Sequence, residues 1–123
     1  MTGRVAVVVA ALLVSGAGCP DVTTGQDAYA KMTPEQQKFT DEVLAAFTPS
    51  TTVEEIEAIL GPAEQTTPGR RRWKRPGGAD TEGVQVYWAG EKVFMVRYMS
   101  IVAPMWAYEF RLDEVGKRLV PRR

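Results

Sequence analysis

Histidine is absent from this 123-residue chain, and cysteine occurs once, at Cys19. Without histidine there is no Ser-His or Cys-His nucleophile pair and no imidazole metal ligand. One cysteine makes neither an intrachain disulfide nor a thiolate cluster. Beyond Cys19 serine occurs only as Ser50 and Ser100, so hydrolase chemistry has few nucleophiles to draw on. No Gly-rich phosphate loop, heptad pattern or internal repeat is present. These shortages point away from an enzyme and call for neither cofactor nor metal. At 45% apolar and 24% charged residues the composition is that of one small globular domain.

The longest apolar run is Val5 to Val14, ten residues preceded by Arg4 and followed by Ser15-Gly16-Ala17-Gly18. Ten residues reach only about 15 Å as a helix, half a bilayer core, so a transmembrane span is not expected. Positive residue, short apolar stretch and small residues are the order of a secretory signal, which assigns residues 1–18 to a signal peptide. Two processing routes fit. Ser15-Gly16-Ala17 suits ordinary cleavage, leaving Gly18 as the new N-terminus. Alternatively Cys19 is the modified residue, because Leu13 to Cys19 resembles a bacterial lipoprotein signal. That resemblance implies a diacylated, palmitate-bearing Cys19 as the mature N-terminus, and more than one acyl chain gives stable anchoring.

Pro20 to Met32 shows no clear period, so residues 19–32 are expected to form a flexible tether and 33–123 a single α+β domain. Thr33-Pro34-Glu35-Gln36 combines an N-cap, a proline at the first helical position and a capping-box partner. Phe39, Val43, Leu44 and Phe47 then fall on one helical face. A second helix starts at Thr51 or Thr52, carries Val53, Ile56, Ile59 and Leu60 as its stripe, and stops at Gly61-Pro62. Glu54, Glu55 and Glu57 suit the positive end of that helix better than acid-base work. From Gly69 onward the pattern turns to strands. Val84–Trp88 and Val93–Met99 read as a hairpin about Ala89–Lys92. Trp106, Tyr108, Phe110 and Leu112 alternate with Ala107, Glu109 and Arg111 as a half-buried strand, and after a turn at Asp113–Gly116, Lys117 to Val120 reads as a last short strand. The expected architecture is two N-terminal helices packed on an antiparallel β-meander of three to five strands.

Charge is segregated along the chain. Residues 20–68 hold nine acids and two bases, whereas residues 69–123 hold six acids and twelve bases. Five cations surround one tryptophan in Arg70-Arg71-Arg72-Trp73-Lys74-Arg75. Arg and Trp dominate interface hot spots, which makes Arg70, Arg71, Arg72, Trp73 and Arg75 the candidate partner-binding residues. An exported chain would meet anionic lipid headgroups or lipopolysaccharide phosphates rather than nucleic acid. The competing reading of the same run is a solvated edge strand guarded by charge.

Thr52-Val53-Glu54-Glu55-Ile56-Glu57-Ala58-Ile59-Leu60-Gly61-Pro62, the aromatic at Trp73 and the Val84–Val96 hairpin resemble the small outer-membrane lipoproteins of the BamE/SmpA/OmlA type. The resemblance implies a lipid-anchored, non-enzymatic scaffold with a β-lactamase-inhibitor-like helix-helix-sheet fold. It also implies an envelope protein as partner, a role related to outer-membrane assembly, and a place on the periplasmic face of a bacterial membrane, the outer membrane favoured. Ser100–Arg123 adds about one strand pair beyond that family core. The alternative function is a binding module for an anionic envelope ligand, a lipid headgroup or cell-wall polymer.

Overall fold

The computed structural model describes residues 22–122. The expected signal peptide, Cys19 and the first residues of the expected tether lie outside the described residues. Helices precede a mostly antiparallel sheet, as the sequence pattern implies, but there are three α-helices and seven strands. The elements are β1 (Thr23–Thr24), α1 (Gly25–Lys31), α2 (Pro34–Glu42), α3 (Val53–Leu60), β2 (Gln65–Thr67), β3 (Arg70–Trp73), β4 (Glu82–Ala89), β5 (Lys92–Ser100), β6 (Trp106–Leu112) and β7 (Leu119–Pro121).

The expected tether is corrected first. Residues 23–31 form β1 and α1, with Ala28 and Met32 buried against the core. Only a couple of apolar positions mark this short helix, too few to show a period. α2 begins as expected: the Thr33 hydroxyl accepts from Gln36 N–H at 3.2 Å, and Gln36 Oε1 accepts from Thr33 N–H at 2.9 Å. It stops at Glu42 rather than running to Phe47, and Leu44–Ala46 tightens into a 3-10 turn that still buries Leu44. α3 repeats the reciprocal cap between Thr52 and Glu55. Its stripe is narrower than expected, because Ile56 and Leu60 are buried while Ile59 is 50% exposed. Gly61, at φ +87°, ends it.

Strand order is β1-β6-β5-β4-β3-β2, with β7 also on β6. β1 runs parallel to β6 at Trp106 and Ala107, and β7 runs antiparallel to it at Phe110 to Leu112. These two short strands therefore share one edge of β6 and leave β2 as the opposite edge. The excess over five strands comes from β1 and β2, of two and three residues. Runs that short carry no alternation signal.

Alternation divides the sheet into two faces. Trp73, Val84, Val86, Val93, Val96, Tyr98, Trp106, Tyr108 and Phe110 point at the helices and form the core with Leu44, Phe47, Ile56 and Leu60. The opposite face carries Arg70, Arg72, Gln85, Tyr87, Arg97, Glu109 and Arg111, aligned in cross-strand register. No helix among the described residues covers it.

Candidate functional site

The strand period splits the basic run that the sequence presents as a unit. Arg71 and Trp73 pair with Val86 and Val84 and face the helices, whereas Arg70 and Arg72 pair with Tyr87 and Gln85 on the open face. Trp73 is 0% exposed, and its Nε1–H donates to the Gly61 carbonyl at 2.9 Å. Arg75 leaves β3 and folds back into the interior. Trp73 and Arg75 are thus removed from the expected contact surface. The reason is the side-chain period of two, which sends alternate residues of one short run into the core. Nor is β3 an edge strand, since β2 lies outside it.

Arg75 instead holds a buried polar cluster. Its Nε donates to Glu82 Oε2 at 2.5 Å and its Nη1 to Glu35 Oε1 at 2.6 Å. Tyr98 Oη donates to Glu82 Oε2 at 2.8 Å, and Gln36 Nε2 to Glu82 Oε1 at 2.7 Å. Burial pushes the Glu82 carboxyl up, but hydrogen bonds from Arg75, Tyr98 and Gln36 outweigh it and hold the group below its ordinary value. Burial, then the Glu82 carboxylate, push the Tyr98 hydroxyl up. Gly78 belongs to the same cluster, because a Cβ there would meet Glu82 Oε2 at 2.8 Å. With every charge paired, the cluster ties α2 to the sheet and presents no vacant group for chemistry.

On the open face, Glu109 gathers three guanidiniums: Arg97 at 2.6 Å, Arg111 at 3.2 Å and Arg122 at 3.2 Å. Burial pushes its carboxyl up, yet Arg97 and then Arg111 hold it below the ordinary range. Arg72 reaches Glu64 at 3.5 Å. Tyr87 lies between Arg70 and Arg97, each guanidinium carbon 5.9 Å from the ring centroid.

Arg70 and Arg71, unlike these, make no ion pair among the described residues, and neither does Lys92. All three line one groove of about 990 Å³ at the end of the sheet. Its walls are the start of α3 with Thr52 and Val53, the β2–β3 turn at Pro68 and Gly69, and the β4–β5 turn at Gly90 and Glu91. The half-exposed Trp88 lines it as well. Gly69, at φ +76°, keeps the β2–β3 turn tight: a Cβ there would meet the Trp88 carbonyl at 3.3 Å. The volume suits a small ligand or a short peptide segment. Edge strand β2, exposed at all three residues, runs beside it.

Arg70, Arg71 and Arg72 thus stay on the surface, though on two faces that meet at the β2–β3 corner. Trp88 and Lys92 join the site without having been singled out in the sequence. Trp88 sits at the bulge between Tyr87 and Trp88, where β4 changes register with β5. Its place in a β-rich run gave a signal for burial, not for a groove wall. Among the described residues no group of three or more Asp, Glu, Cys or His side chains is placed to hold a metal ion. No described helix is long and apolar enough to cross a membrane. No protein-family model matches the chain, and no curated protein or solved structure matches it either.

Proposed function

We propose that this protein is an exported, non-enzymatic binding module of the bacterial cell envelope, anchored through a lipidated Cys19. Its groove at the β2–β3 corner docks an acidic segment of an envelope protein. One observation carries the docking reading: three cations without carboxylate partners, Arg70, Arg71 and Lys92, converge on a groove walled by Trp88. Unpaired cations around an aromatic wall attract an acidic chain and give its apolar side chains a seat. The free β2 edge offers main-chain pairing to an extended segment. The N-terminal signal pattern, the lone Cys19 and the resemblance to the BamE/SmpA/OmlA lipoproteins support the envelope setting and a role related to outer-membrane assembly.

The test is affinity capture from solubilised envelopes with the full chain and two variants. Charge reversal at Arg70 and Arg71 should weaken capture of the partner at least tenfold. Glu42→Lys, on an exposed helical position, should leave it unchanged. Equal capture by all three proteins refutes the groove. A second reading, an anionic headgroup or wall polymer in the same groove, is favoured by the hydroxyls of Ser50, Thr52, Thr66 and Thr67 around it. It predicts direct binding to purified envelope lipid or polymer that fades as salt screens the cations.

A further inference from the structure

Among the described residues six large hydrophobic side chains are exposed, and three of them, Val22, Ile101 and Val102, gather at one end of the sheet. Ile101 to Met105 is the loop joining β5 to β6, and it reads Ile-Val-Ala-Pro-Met without a charge. Val102 is 49% exposed and Ile101 52% exposed, with Ala103 and Pro104 exposed beside them. The chain arriving from the N-terminus is fixed against this loop: Thr23 N–H donates to the Met105 carbonyl at 3.1 Å, and Thr23 pairs with Trp106. Val22, 44% exposed, therefore enters the fold alongside the returning arm of the loop. From Cys19 to Val22 is three residues, a reach of at most about 11 Å. Were residues 19–32 a free tether, the domain would hang at an arbitrary angle. Because Thr23 is already held on β6, an acyl anchor on Cys19 would bring this end of the sheet to the lipid.

We infer that the Ile101–Met105 loop, with Val22, is a membrane-docking tip that enters the lipid interface beside the anchor. The inference rests on the lipidated Cys19 proposed above. Its chemistry is apolar: aliphatic side chains and a proline replace water contact with the acyl boundary, a depth of about 5–10 Å. The Lys74–Asp80 ion pair lies by the neighbouring turn, where Thr81 O accepts from Ile101 N–H, and would sit at headgroup level. Docking there sets the orientation of the domain. The groove lies at the other end of the strands, roughly 25 Å away along β5, and would face away from the membrane.

The test uses the full chain purified from bacterial envelopes and reconstituted in phosphatidylcholine vesicles, which carry no net charge. An environment-sensitive fluorophore is placed on Val102→Cys or, for reference, on Thr67→Cys at the groove end. Intact mass first reads the state of Cys19. With an acyl adduct present, the inference predicts that the label at 102 is quenched by nitroxide lipid at least threefold more than the label at 67. Adding Ile101→Asp should remove most of that difference, and raising salt should not. An acylated chain whose two labels are equally open to a water-borne quencher overturns the inference while the anchor stands. A label at 102 shielded from both quenchers means that protein covers the loop, a partner or a second copy, and also overturns it. Without an adduct the measurement is repeated in a Cys19→Ser chain. Lipid quenching at 102 then supports a docking tip without the anchor, and absence of vesicle association overturns both readings.

Discussion

At the residue scale, the basic run shows how far one dipeptide period decides function. Arg70, Arg71, Arg72, Trp73 and Arg75 are adjacent in sequence, yet two of the five are interior. Trp73 fills the core between α3 and the sheet, so Trp73→Ala should cost about 3–5 kcal/mol in chemical denaturation. Charge reversal at Arg70 should move stability by no more than about 0.5 kcal/mol, because the side chain is exposed and unpaired. The two substitutions thereby separate folding from binding. Arg75 is held by Glu82 and Glu35, and Glu82→Gln removes the buried one of its two counter-ions, an expected loss of about 3 kcal/mol near neutral pH. The pH dependence follows from the same group. Its folded-state pKa is depressed, so its stabilisation is complete above the unfolded carboxylate value of about 4.3. That stabilisation is lost as pH falls through the folded value. The midpoint of thermal unfolding should therefore drop on acidification below about pH 4, and Glu82→Gln should flatten part of that drop. An unchanged acid profile in the variant would mean that Glu82 carries no linked proton.

At the scale of elements, legibility followed length. α3 was readable because cap, partner and stop all sit within a dozen residues, α2 was readable at its start but not at its end, and both caps are present as reciprocal hydrogen bonds. Thr52→Ala should lower stability by about 1 kcal/mol, measured by denaturant midpoint, and a loss below a few tenths would show that the cap is redundant. The β4–β5 hairpin and β6 were readable from alternation. What sequence did not show were α1, β1 and β2, and the two strands depend on edges supplied by β6 and β3 rather than on local propensity. The groove was illegible for the same reason. Its wall residues come from three separate segments, and only cross-strand register brings Arg71, Trp88 and Lys92 together. The separation of acid-rich and base-rich halves was visible in the numbers, but which bases remain unpaired was not.

At the scale of the molecule, two layers of opposite charge tendency lie back to back. The three helices carry seven acids against two bases, and the open sheet face carries Arg70, Arg72, Arg97 and Arg111 against the carboxylates of Glu109 and Glu64. Along the strands the ends differ as well: an uncharged apolar loop beside the incoming chain at one end, a cationic groove at the other. The proposed anchor at Cys19 would give that polarity a direction, with the apolar end at the lipid and the groove presented outward. The proposed orientation therefore depends most on what happens at Cys19. The measurement that tests it most directly is the intact mass of the mature protein isolated from a bacterial envelope, beside a Cys19→Ala variant. The account predicts an N-terminal Cys19 carrying acyl chains in the parent and no adduct in the variant. A mature chain beginning at Gly18 with a free thiol would contradict it.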